Sequence, residues 1–212
     1  MLLACAVSLA VCAAHPATAP PSYTFSSHRL GPALRHRLYG SSWHSGCPVP
    51  LPGLRYLRIA YWGFDRRPHK GEMVVAASAV APVRKAFARL FHARFPIRRM
   101  RLVDDYGASD SRSIDHDNTS AFNCRDVTGG SGWSEHAYGR AIDIDPIENP
   151  YVYPGGRVTH AASRPYVDRS RHRRGMAYPG GVLVRAFAAM HWGWGGDWAP
   201  PTDYQHFSST GR

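Results

Sequence analysis

Ser134-Glu135-His136-Ala137-Tyr138-Gly139-Arg140-Ala141-Ile142-Asp143 is the stretch on which the fold turns. It sets an imidazole ahead of a tight glycine turn and a carboxylate on the short strand predicted from Tyr138 to Asp145. Ile142 and Ile144 share one face of that strand; Ala141, Asp143 and Asp145 share the other. Such a turn and strand can present an imidazole and a carboxylate to one point, and both groups are good zinc ligands. On spacing alone Asp145 serves as well as Asp143, since both leave the same face.

A second chemistry-bearing segment lies near the C-terminus. Asp203-Tyr204-Gln205-His206 supplies another imidazole, with a carboxylate three residues before it. Two imidazoles and one carboxylate leave a tetrahedral zinc one open position, the mark of a catalytic rather than a structural site. Asp203 is then the unligated carboxylate available to accept a proton from water. The chain carries 12 histidines, so the choice of these two is not forced by composition.

Between the two segments the pattern is mixed. Leu57, Ile59 and Tyr61 alternate in a predicted strand, and Glu72 to Ala77 reads as another. Ser78 offers an N-cap to a helix carrying Val80, Val83, Phe87, Leu90 and Phe91, with Pro82 in its first turn and Pro96 at its end. A strand through Met100, Leu102 and Val103 is expected, then a long loop from Asp104 to Gly130. A second long basic loop runs from Asn149 to Tyr178, followed by a helix from about Val182 to His191. Without a regular βαβ alternation these elements predict an α+β fold, one domain with a small antiparallel sheet flanked by helices.

The 212 residues suffice for one core, and 44% hydrophobic against 19% charged residues exclude a disordered chain. The formal charge of +11 favours an anionic partner, although coding enriched in Arg gives the same excess. Leu2 to Ala14 forms an apolar run followed by small residues, which predicts a signal peptide over residues 1–19. Cleavage after Ala14 is the alternative, because Pro20 follows Ala19 unfavourably. No Lys or Arg precedes the run, which leaves the start codon open, and Val11 fits a lipoprotein signal before Cys12 poorly. Removal of the segment takes Cys5 and Cys12 with it and leaves Cys47 and Cys124 as a candidate disulfide of an exported protein. Residues 20–52, rich in Pro and Ser, read as a linker or wrapping segment, and residues 53–212 as the catalytic domain.

The motif Ser134-x-His136-x-x-Gly139-x-Ala141-x-Asp143 resembles that of the zinc D-Ala-D-Ala carboxypeptidase family, which also includes L-Ala-D-Glu endopeptidases of phage lysins. Asn118 to Arg125, Asp145-Pro-Ile-Glu-Asn-Pro-Tyr151 and Trp194-Gly-Gly-Asp-Trp198 resemble its extensin-like branch, so the likeness runs from about Cys47 to Phe207. The resemblance implies the hedgehog-like fold of those peptidases and a zinc ion held by His136, Asp143 and His206, which selects Asp143 over Asp145. It also implies that Asp203 is the catalytic base and that Arg125 stabilises the oxyanion. Trp192, Trp194 and Trp198 are aromatic residues that could line a substrate groove, and Ser134 and Trp194 are the substrate-binding candidates. Peptidoglycan stem peptides are the implied substrate, and a periplasmic or wall location follows. Nucleic acid is not expected as a partner, nor membrane insertion after signal cleavage, and a monomer is expected. Asp203 stands where the carboxypeptidase branch usually has Glu; the shorter carboxylate resembles the endopeptidase branch. The rival on the same fold is a non-catalytic peptidoglycan-binding module.

Overall fold

The alternating residues around Leu57 form β2 (Leu54–Trp62), which turns back as β3 (Pro68–Ala76) with Leu57 opposite Met73 and Ile59 opposite Gly71. Its other edge is covered by β1 (Phe25–Arg29), giving an antiparallel sheet in the order β1-β2-β3. The computed structural model describes residues 21–212. The expected signal peptide, with Cys5, Cys12 and both candidate cleavage points, lies outside the described residues.

The segment expected to be a linker or wrap carries β1 and then α1 (Pro32–Leu38). Neither announces itself, because β1 buries none of its residues fully and α1 buries only Leu38, so no apolar period is needed. Leu57, Ile59, Tyr61, Met73 and Val75 face the principal core. Against them packs α2 (Val80–His92), through Val83, Ala86, Phe87 and Leu90. Ser78 does not cap this helix; it lies in a 3-10 turn, Ala77–Ala79, that runs straight into α2. The helix ends where Arg94 enters the left-handed region at φ 52°, two residues ahead of Pro96.

The strand expected through Met100 to Val103 is replaced by a single bridge between Met100 and Thr119. The reason is local. Asn118 accepts from the Arg101 N–H at 2.9 Å and donates to the Arg101 carbonyl at 3.1 Å, so its carboxamide takes the place of a strand partner. The expected loop after Asp104 contains α3 (Asp110–Asp115), whose N-cap Ser109 accepts from the Arg112 N–H.

The second sheet is smaller and has the order β4-β8-β6: β4 is Ala141–Asp143, β6 Gly193–Trp194 and β8 His206–Ser208. A two-stranded ribbon beside it pairs β5 (Tyr151–Val152) with β7 (Thr202–Asp203). The C-terminal helix α4 (Val182–Ala188) is shorter than expected, because His191 turns left-handed at φ 60° and the Trp192 N–H returns to the Phe187 carbonyl. Phe187 joins the layers: its ring stacks on Phe207 of β8 at 4.5 Å and meets Phe87 of α2 edge-on at 6.3 Å. The architecture is α+β, small antiparallel sheets with short helices sharing one core.

A second cluster, including Leu38, Leu54, Val74, Leu102, Phe122 and Ala137, packs α1 and the far side of the first sheet under the segment that leads to His136. Cys47 and Cys124 are disulfide-bonded at its edge, 77 residues apart in sequence. Closing a loop of that length restricts the unfolded chain by about 4 kcal/mol in the chain-entropy model. The Cys47→Ala/Cys124→Ala variant is therefore expected to unfold at clearly lower denaturant with an unchanged native circular dichroism spectrum. An unaltered midpoint would show that the bridge contributes nothing to stability.

Candidate metal centre and cleft

Strand register does the first part of assembly. In the antiparallel pair β4–β8, Asp143 lies directly opposite His206. His136 arrives from a turn closed by Ala137 N–H to Ser134 O and Gly139 N–H to His136 O. Gly139 makes that turn at φ 63°, and a Cβ there would stand 2.5 Å from the Ala76 nitrogen. Only glycine lets the turn sit against the end of β3, where the Ala76 N–H donates to the Gly139 carbonyl at 2.9 Å.

The result is a buried triad. His136 Nε2 lies 3.1 Å from Asp143 Oδ2, His206 Nδ1 3.2 Å from Asp143 Oδ1, and the two ring nitrogens 3.3 Å from each other. The opposite edge of each ring fixes its tautomer. His136 Nδ1 donates to the Ala121 carbonyl at 2.6 Å, and His206 Nε2 to the main-chain oxygen of Arg212 at 2.9 Å. Each inward nitrogen therefore presents a lone pair, and the carboxylate adds more. Three acceptors converge with no donor between them, an arrangement that a cation satisfies. Two outward-anchored imidazoles and one carboxylate suit zinc. Among the described residues the other His/Cys cluster, His44 with Cys47 and Cys124, has its sulfurs committed to the disulfide.

The charges respond accordingly. Burial opposes ionisation of Asp143, but a proton taken up on the imidazole side in place of a cation outweighs it, through His136 first and then His206, and holds the carboxyl well below its usual range. Burial likewise opposes a charged His136, yet Asp143 raises it overall.

These groups open into a cleft of about 460 Å³. Asp203 lines it from β7, opposite Tyr151 in the ribbon. Its seat depends on Gly195, where a Cβ would fall 2.4 Å from the Asp203 carbonyl oxygen. Burial, with the Asp143 charge added, pushes the Asp203 carboxyl up to about 7, and its Oδ1 has no partner among the described residues. Arg125 also lines the cleft; Asp110 of α3 grips its guanidinium at 2.9 Å. Ser134 is in the wall with its Oγ accepting from the His136 N–H at 3.3 Å, which spends that oxygen on the turn.

Trp194 is a correction. It is not at the cleft: its ring is buried parallel to Phe207, and its indole N–H donates to the Tyr204 carbonyl. Strand β6 turns that side chain into the core, and Trp198, beyond the Gly195–Asp197 turn, reaches the cleft beside His206 instead. Asp110, Tyr153, His160 and Gln205 also line it and escape sequence reasoning. The Tyr151-x-Tyr153 repeat was the one available signal; Asp110 had none, since its helix is too short to show a period.

Residues 128–209 match the family model of D-alanyl-D-alanine carboxypeptidase. The matched region contains His136, Asp143, Asp203 and His206 and supports the resemblance to that family and a peptidase activity. Asp110 and Arg125 lie ahead of it. No curated protein and no solved structure matches the chain significantly.

Asp145 belongs to a second acidic group, and its carboxylate does not join the cluster of His136, Asp143 and His206. Asp145 is left-handed at φ 42°, which ends β4 and breaks its alternation. Its carboxylate turns inward to accept the Arg98 N–H at 2.8 Å. Arg98 also reaches Glu148 at 2.8 Å and Asp117 at 3.3 Å. One cation cannot balance three buried carboxylates. Burial first, then the hydrogen bond with Glu148 and its charge, push Asp117 from 3.8 up to about 8. A carboxyl raised on folding binds its proton more tightly in the folded state, so stability is full below pH 4 and falls as the pH climbs towards 8. Asp117→Asn keeps an acceptor for the Ile147 N–H and cannot ionise. Its thermal midpoint is expected to gain on the parent protein progressively from pH 5 to pH 9; a difference constant over that range would mean that Asp117 is ionised throughout.

Proposed function

We propose that the chain, with its match to the D-alanyl-D-alanine carboxypeptidase family as the premise, is an exported zinc peptidase that hydrolyses peptide bonds in peptidoglycan stem peptides. The observation that carries this is the convergence of His136 Nε2, Asp143 and His206 Nδ1 on one point, beside an unpartnered Asp203 carboxylate in an open cleft. Catalytic machinery sits within residues 53–212, and residues 21–52 brace it through β1 and the disulfide. The disulfide fits an oxidising compartment. Among the described residues no helix is long and apolar enough to cross a membrane.

His136, Asp143 and His206 would hold the ion, which when bound supplies a Lewis acid for polarising water and the scissile carbonyl. Asp203 takes a proton from the attacking water on its carboxylate and returns it to the departing amine. A carboxyl raised to about 7 is suited to exchange a proton in both directions near neutrality. Arg125, steadied by Asp110, donates to the carbonyl oxygen as negative charge builds there. Tyr151, Tyr153 and Trp198 offer apolar walls for the methyl groups and extended backbone of a short peptide.

Purified protein should contain stoichiometric zinc and cut stem-peptide fragments in a chelator-sensitive manner, with products read by mass spectrometry. Loss of terminal D-Ala identifies a carboxypeptidase, an internal cut an endopeptidase. His136→Ala should lose metal and activity together. Asp203→Asn should keep the metal while turnover falls by about 10²–10⁴, and Arg125→Ala should lower kcat by about 10²–10³. Normal turnover by Asp203→Asn would remove it as the base. Zinc-loaded parent protein that binds fragments and cuts none would instead be a binding module.

A further inference from the structure

We propose that a basic track leading from the first sheet to α3 binds a linear phosphate polymer of the cell envelope. The track consists of two adjoining shallow grooves that share Arg99 and Arg101. Arg58 and Lys70 extend it across β2 and β3, and Arg112 and His116 extend it along α3. All six side chains are exposed.

Charge bookkeeping separates this surface from the densest basic run of the chain. The densest basic run, Arg169 to Arg174, is partly consumed by the fold. Arg169 donates to Glu148 O and Asn149 Oδ1, and Arg174 to Phe64 O. Arg98 is taken by Glu148 and Asp117. Along the track Arg58, Lys70, Arg99 and Arg101 have no carboxylate partner among the described residues; Arg112 has none either, but its guanidinium donates to the Tyr106 and Gly107 carbonyls. Of the two acids beside them, Asp105 is paired with Arg37, while Glu72 accepts from the Tyr56 hydroxyl, which leaves its charge in place, and lies opposite Arg58. Cations gathered in excess of their counterions repel one another and cost stability, which a bound polyanion reverses.

The arrangement suits a polymer more than a single ion. Arg99 and Arg101 flank the buried Met100 and each lines both grooves, so the two side chains serve one surface. Lys70 is the diagonal cross-strand neighbour of Arg58, whose direct partner is Glu72. Guanidinium forks match phosphate oxygens. No exposed aromatic platform interrupts the track: Tyr61 is buried, and Tyr106 is covered by His116 at 5.1 Å. Binding of single-stranded nucleic acid depends on such platforms.

Position gives the track its use. Helix α3 turns Arg112 and His116 to the track and Asp110, Ser111 and Ile114 to the cleft. A polymer in the grooves is thus held about one helix diameter, ~10 Å, from the catalytic cleft. It would keep the protein at the envelope and not occupy the site.

The test is binding of fluorescent long-chain inorganic polyphosphate, followed by anisotropy over a series of salt concentrations. Arg99→Glu/Arg101→Glu should weaken binding at least about tenfold and lower the slope of log K against log salt by about 1.5, as loss of two phosphate contacts requires. Lys85→Glu/Arg89→Glu, the same charge change on the exposed face of α2, should alter binding far less. Cleavage of a short soluble stem peptide should be unchanged in both, and thermal midpoints report folding; Arg99→Gln/Arg101→Gln serves if the reversal does not fold. Equal losses in the two double variants would reduce the effect to net charge and overturn the site. So would unaltered binding by the Arg99/Arg101 variant, or tighter binding of oligo-dT than of polyphosphate. Because binding is read without turnover, these outcomes are independent of whether the chain is a peptidase.

Discussion

Three lone-pair donors meet within 3.3 Å of one another in the interior, and much of the structure serves to keep them there. Two imidazole nitrogens and a carboxylate cannot share a dry site without a cation or a proton between them, since burial strips away the water that would separate them. The rings are therefore tethered from behind. Ala121 O takes the outer N–H of His136 and Arg212 O that of His206. Without these acceptors either ring is free to rotate its proton inward and satisfy Asp143 directly. The tethers select the tautomers that leave the centre in need of a positive ion.

Two sheets cooperate in that constraint. The smaller one contributes Asp143 and His206 as a cross-strand pair, a geometry that backbone hydrogen bonds alone enforce. The larger one contributes no side chain to the triad; its part is to receive Gly139 against Ala76 and so fix the height of His136. Phe187 couples the sheets by contacting both Phe87 and Phe207. Removing that ring from the core would cost about 3–5 kcal/mol. Some of that loss would fall on β8, where Phe207 is the residue after His206.

How far the sequence conveyed this varied by element. The turn and strand from Ser134 to Asp143 were legible because glycine, a short apolar alternation and two metal-binding side chains coincide there. The hairpin strands and α2 were legible from their apolar periods. The strand expected after Met100 was lost to Asn118, whose carboxamide competes for the Arg101 backbone in a way that no periodicity reports. Edge strand β1 and helices α1 and α3 expose most of their surface, so they leave no hydrophobic pattern to read. Trp194 and Trp198 illustrate the limit for the site: four residues apart in one Gly-rich segment, they separate into core and cleft through a single 3-10 turn.

Asp143 and Asp145 look interchangeable in the sequence, and the fold shifts their carboxyls in opposite directions. Both are buried, so desolvation raises both carboxyls and does not distinguish them. What differs is the sign of the neighbours. Asp143 faces two imidazoles, and a positive charge at their inward nitrogens, whether proton or cation, holds it ionised. Asp145 faces Asp117 and Glu148, whose charges add to burial and hold it well above the carboxylate range, with only Arg98 in opposition. The left-handed residue that ends β4 sends one side chain to each environment. Two carboxyls two residues apart in the chain are thus pushed in opposite directions, and only Asp143 is grouped with the imidazoles that could hold a cation.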